Sequence, residues 1–152
     1  MMDAGILEAG AGFAAGLGLW TVLEYGLHRF AGHSKHLGKH VRKEHFAHHA
    51  RPDYFTPVRR KLALAVPVLG ALGALGGLLA GWAAGPALAL GTAAGWTVYE
   101  KLHQAAHLRG PRTRYGAWVR RHHLHHHFQN PKANHGVTTP LWDWVFGTLE
   151  RP

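Results

Sequence analysis

The chain has 152 residues, no cysteine, 15 histidines, 17 lysines and arginines and only 8 acidic residues, for a formal charge of +9. The lack of cysteine excludes disulfides and thiolate metal sites. So basic a chain invites a nucleic-acid reading, but the layout argues against one: the basic residues fall in two blocks, Arg29 to Lys61 and Lys101 to Arg151, with none in residues 1–28 or 62–100.

The first apolar stretch runs from Ile6 to Leu27, interrupted only by Glu8 and Glu24. It lacks the basic start of a signal peptide and runs straight into His28, so it reads as a membrane span kept in the mature protein. His28 and His33 follow, five residues apart, a spacing that does not share one face of a regular helix. Gly32 between them lets the helix end or distort so that His33 can swing back. In "VRKEHFAHH", His45, His48 and His49 stand at i, i+3 and i+4 and present three imidazoles to one side of a helix.

Leu62 to Tyr99 carries no charged side chain. As one helix these residues would reach about 57 Å, nearly twice the roughly 30 Å of a hydrocarbon core. Gly85 and Pro86 supply a break, which predicts spans over residues 62–83 and 86–105. The many Gly and Ala residues in these stretches suit close helix packing in a bilayer. His103 and His107 close the third span on one face, and "VRRHHLHHHF" then packs His122, His123, His125, His126 and His127 into six positions.

The chain repeats itself. "WTVLE" (Trp20 to Glu24) recurs as "WTVYE" (Trp96 to Glu100), and "VRKEHFAHH" (Val41 to His49) recurs as "VRRHHLHHH" (Val119 to His127), in the same order. We read residues 1–152 as a single domain with an internal pseudo-repeat over about 6–61 and 86–148. The repeat sets the register of the crowded run. His123, His126 and His127 fall on His45, His48 and His49, whereas His122 falls on Glu44 and His125 on Ala47. The ligand candidates are therefore His28, His33, His45, His48, His49, His103, His107, His123, His126 and His127, with His122 and His125 as extras.

Ten imidazoles exceed what one ion uses and suit two ions with about five nitrogens each. Imidazole accepts iron, zinc, copper or nickel, so ligand type alone does not choose among them. Basic blocks belong on the cytoplasmic side. The expected fold is therefore all-α: an integral membrane helical bundle of about three spans, its N-terminus outside, with a cytoplasmic helical cap carrying the histidines.

"EYGLHRFAGH", "HFAHH", "YEKLHQAAH" and "HHLHHHF", followed by "NHGVTTPLWDWVFGT", resemble in order the histidine boxes and tail of the fatty acid hydroxylase and sterol desaturase superfamily. The resemblance covers Glu24 to Thr148 and implies a membrane di-iron enzyme, with zinc able to replace iron, that uses dioxygen and two electrons to hydroxylate or desaturate a lipid. It implies the same ten histidine ligands. The chain is short and shows no fused haem domain, so a separate ferredoxin- or cytochrome-type donor is expected. A carotenoid hydroxylase of the same superfamily is the second reading, although the spacing of His103 and His107 and the "PLWD" tail favour the acyl-lipid and sterol side. A histidine-rich metal transporter is the rival from another class. It would place ligands along its spans, yet Leu62 to Tyr99 offers only Thr92, Thr97, Trp and Tyr as polar groups.

Glu24 and Glu100 occupy equivalent repeat positions one turn before His28 and His103. Each is expected either to accept an N–H from a ligand imidazole or to act as an interfacial charge paired with Arg or Lys. Asp143, between Trp142 and Trp144, is expected to do the same or to hold helices together, and the two tryptophans with Phe146 read as an interfacial anchor. His36, His40 and His135 fit no box and are expected to be solvated loop residues.

Overall fold

The computed structural model describes residues 3–151. Its elements, in chain order, are α1 (Ala4–Gly26), a π-helical turn (Leu27–Gly32), α2 (Lys39–Ala50), α3 (Val58–Ala80), α4 (Ala84–Leu108), α5 (Arg114–Phe128) and the short α6 (Leu141–Val145). No strand occurs among the described residues. The chain divides into two compact units, Met1–Trp20 with Pro57–Thr97 and Thr21–Thr56 with Val98–Pro152.

The first unit holds α3 and the greater part of the apolar stretches of α1 and α4. Two segments, Ala4–Gly32 and Val58–Ala80, are long and apolar enough to cross a membrane, and little of either is buried within the protein. Leu64, Val66, Leu78 and Leu79 are each more than half exposed on α3. Such a surface suits lipid rather than water. The break after α3 falls earlier than Gly85-Pro86. Gly81 ends α3 at φ +101°, and α4 starts at Ala84 with Pro86 in its first turn. Proline is tolerated there because the first N–H groups of a helix have no intrahelical partner.

Small residues set the spacing of α1 and α4. A Cβ on Gly16 would strike the Leu88 carbonyl and come within 2.7 Å of the Thr92 nitrogen, and one on Gly91 would strike the Phe13 carbonyl. Close by, the repeated tryptophans Trp20 and Trp96 approach to 6.5 Å between ring centroids.

The second unit carries every histidine. Thr113 caps α5 by accepting from the Gly116 N–H at 2.9 Å. A small apolar core of Ala106, Val119 and Val137, flanked by Tyr99, Leu102 and Trp118, ties α4 and α5 to the 137 segment. Two long-range polar clamps reinforce it. The Trp142 indole donates to Thr21 Oγ1 at 3.0 Å, and the Tyr25 and Thr148 hydroxyls meet at 3.0 Å.

Gly16→Val should force α1 and α4 apart and cost about 1–3 kcal/mol, as overpacking usually does. Gly10→Val, where a Cβ meets nothing within 4 Å, should be neutral. Thermal melts in detergent separate the two; equal melting of both variants would contradict the packing described.

Candidate metal centre

The sequence brings the histidines together through four devices. The π-turn is the first. It bonds residue i to i+5, so residues five apart reach the same side. His28 is the second residue of this turn and His33 follows its end, with their rings 5.5 Å apart. This resolves the one spacing that a regular helix does not explain. The i, i+3, i+4 triplets on α2 and α5 and the i, i+4 pair on α4 are the other three.

The ten ring nitrogens form two groups that can each hold a metal ion. One comprises His28, His33, His45, His49 and His126; the other comprises His48, His103, His107, His123 and His127. Within each group the candidate ligand atoms all lie within 4.8 Å of one another. The middle histidine of each triplet crosses over. His45 and His49 of α2 serve the first group while His48 serves the second; His123 and His127 of α5 serve the second while His126 serves the first. The repeat that equates His48 with His126 is thus also an exchange between the two groups.

In the first group four Nε2 atoms close a ring: His126 to His33 at 3.1 Å, His33 to His45 at 2.9 Å, His45 to His49 at 2.9 Å and His49 to His126 at 3.1 Å. His28 Nε2 lies 3.0 Å from His126 Nε2. A square with edges of about 3.0 Å has its centre about 2.1 Å from each corner, which is the metal–imidazole bond length. A tetrahedral site with that bond has edges of about 3.4 Å. In the second group, His48 to His107, His48 to His103 and His107 to His123 repeat the spacing at 3.1, 2.9 and 2.9 Å.

The contact between His28 and His126 is not a hydrogen bond between imidazoles. His28 Nδ1–H donates to the His135 carbonyl, His126 Nδ1–H to the Ala133 carbonyl at 2.7 Å and His48 Nδ1–H to the Tyr54 carbonyl at 2.7 Å. With the proton on Nδ1, Nε2 presents a lone pair. His28 and His126 then face each other lone pair to lone pair, an arrangement that a cation between them stabilises. Both ring nitrogens of His127 are buried without a hydrogen-bond partner, and a ligand role satisfies one of them. Each group offers five nitrogens close enough together to hold a metal ion.

A model of the fatty acid hydroxylase family matches residues 13–148. The chain belongs to the fatty acid hydroxylase family. It is 35% identical over 145 residues to the dihydroceramide fatty acyl 2-hydroxylase FAH2 of Arabidopsis thaliana, covering 90% of this chain and 59% of the relative. It is 31% identical over 154 residues to the fatty acid 2-hydroxylase of Homo sapiens, covering 92% of this chain and 40% of the relative. The solved structure of full-length scs7p, in which only the hydroxylase domain is visible, matches with a TM-score of 0.79 at 29% identity, over 96% of this chain and 58% of that one. The chain therefore spans between 40% and 59% of the length of these relatives.

The Nδ1–H groups of His28, His48 and His126 donate to main-chain carbonyls, while Glu24 and Asp143 hold main-chain N–H groups of the tail. Glu24, 3% exposed, grips a distant segment: Oε1 accepts from the Val137 and Thr138 N–H groups at 2.9 and 2.8 Å, and Oε2 from the Thr138 hydroxyl at 2.8 Å. Asp143, fully buried, accepts from the His135 N–H at 2.7 Å, the Thr148 hydroxyl at 2.8 Å and the Gly136 N–H at 2.8 Å. Together they fix the 135–138 segment, whose His135 carbonyl orients His28. Glu100 sits partly buried on α4, one turn before His103.

His122 and His125 lie outside both groups. His122 Nε2 meets Asp143 Oδ2 at 3.3 Å and His125 Nε2 meets Glu150 Oε2 at 2.6 Å. His36 and His40 are exposed. His135 is not a solvated loop residue as its isolation in sequence suggests. It is 3% exposed and packs edge-on to His28, with its Nε2–H donating to the Lys132 carbonyl at 3.2 Å. Nothing in its spacing announces this, because the contact is made by the fold of the tail.

Burial holds the rings neutral, the form that binds metal. It lowers His49 and His135 to about 4 and His126 to about 2, and it depresses His33, His45, His123 and His127 from the usual 6.5 as well. The unfolded chain binds more protons than the folded one below 6.5, so stability falls as pH drops through that value. The melting temperature of metal-stripped protein should therefore decline steadily from about pH 7 to about pH 5. A flat profile would contradict the burial of neutral rings.

Proposed function

We propose that this chain is a membrane-bound hydroxylase that inserts one oxygen atom of dioxygen into a fatty acyl chain, at position 2 of a ceramide-type or free fatty acid. What carries the reading is the pair of five-imidazole groups in a member of the fatty acid hydroxylase family. The relatives' names specify acyl 2-hydroxylation, which favours this reading over a carotenoid substrate and over desaturation.

His28, His33, His45, His49 and His126 hold one iron ion and His48, His103, His107, His123 and His127 the other, with zinc able to occupy the same sites. Bound iron supplies the electron transfer to dioxygen that organic side chains lack. The overall change is balanced: C–H, O₂, two electrons and two protons give C–OH and water. The protein's own residues act by ligation and orientation. Three carbonyls fix ring tautomers, and Glu24 and Asp143 hold the segment that supplies one of them. The stretch Leu62 to Tyr99 offers few polar groups for a transport path, which disfavours the transporter reading.

We further infer three crossings, with α4 as the third, the histidines on the cytoplasmic side and the N-terminus outside, following the basic blocks. The whole chain then acts as a single hydroxylase domain. Electrons come from a separate ferredoxin- or cytochrome-type donor, steered to the basic surface.

Iron-loaded protein in lipid nanodiscs, given dihydroceramide, a chemically reduced ferredoxin and ¹⁸O₂, should yield an acyl chain carrying one ¹⁸O at position 2. Protein that retains both iron ions yet labels no lipid would overturn the proposal.

A further inference from the structure

The two histidines that cross between groups share a feature that the sequence repeat only half reveals. Each donates its Nδ1–H to a carbonyl just beyond its own helix, His48 to Tyr54 six residues on and His126 to Ala133 seven residues on. Each of these carbonyls is held by a polar clamp of its own.

Beyond α2, the Tyr54 hydroxyl reaches back and donates to Glu44 Oε2 at 2.6 Å, which closes the turn onto the helix it has just left. The Tyr54 N–H also donates to the Arg51 carbonyl at 2.8 Å. Beyond α5, Asn134 pairs with the tail. Its Nδ2 donates to the Glu150 carbonyl at 3.0 Å, its Oδ1 accepts from the Glu150 N–H at 2.8 Å, and its own N–H donates to the Thr148 carbonyl at 2.9 Å. Asn134 is completely buried and holds φ +56°, a left-handed conformation that turns the chain immediately after the Ala133 carbonyl.

Glu44 directly precedes His45, a member of the first group, yet its clamp acts on His48, which belongs to the second. Asn134 follows α5, which supplies two members of the second group, yet its clamp acts on His126 of the first.

We propose that Tyr54 with Glu44, and Asn134 with the Glu150 main chain, are positioning residues that act crosswise: the clamp on α2 sets metal affinity at the second group, and the clamp on α5 sets it at the first. This rests on the ligand set proposed above. The physical basis is the carbonyl-to-imidazole hydrogen bond, which fixes both the tautomer and the ring plane of a ligand. Loss of such a partner typically weakens metal binding about 10- to 100-fold.

The test is a zinc titration against a chromophoric chelator in two backgrounds that each retain one group. His33→Ala disables the first group and His103→Ala the second, so each should hold one zinc ion where the unmodified chain holds two. Tyr54→Phe removes the hydroxyl that grips Glu44. It should weaken zinc binding about tenfold or more in the His33→Ala background and leave the His103→Ala background unchanged. Asn134→Gly keeps the positive φ without the side-chain bonds and should do the reverse. Glu44→Gln retains an acceptor for the Tyr54 hydroxyl and should preserve affinity.

Equal weakening in both backgrounds would mark the clamps as merely structural and overturn the crosswise assignment, as would no weakening in either. If His33→Ala and His103→Ala fail to remove one zinc ion each, the ligand set itself falls, and this inference falls with it.

Discussion

Ten imidazoles converge in the second unit, and where two of them face each other lone pair to lone pair at 3.0 Å, as His28 and His126 do, a cation between them relieves the repulsion. Much of the second unit follows from meeting that constraint. The π-turn after α1 lies at the one place where two candidate ligands stand five residues apart. The segments after α2 and α5 turn back to place carbonyls behind His48 and His126. The tail from Ala133 to Glu150 contributes no member of either group, yet it carries Ala133 and His135 as acceptors and Asp143 as the buried anchor of the His135 segment.

The exchange of His48 and His126 makes the two triplets interdependent. Neither α2 nor α5 completes a five-nitrogen group alone, because each lends its middle histidine to the group that the other mainly builds. A shift of either helix disturbs both groups together. Both candidate metal positions are then held by one lattice of rings.

The helical periodicity of the boxes was legible in the sequence because side-chain facing on a helix depends only on spacing. The repeat identified which members of the HHLHHH run enter the groups, since alignment with VRKEHFAHH uses information that spacing alone lacks. The partners of the carboxylates were not legible. Glu24 binds a segment 113 residues away, and no local pattern encodes so distant a contact. His135 was hidden for the same reason. The start of α4 was misplaced by two residues because Pro86 breaks a helix interior but is accepted in a first turn. The crossing of the middle histidines was invisible too: i, i+3 and i+4 share a face, and only the packed structure shows that one face can serve two centres.

The most direct test of the five-nitrogen assignment is X-ray absorption at the iron edge on detergent-purified protein loaded anaerobically with two ferrous ions per chain. The account predicts five or six nitrogen or oxygen neighbours per iron at about 2.1 Å, with the outer-shell scattering of several imidazoles. Four-coordinate iron, or a low imidazole count from ions scattered over many histidines, would contradict it.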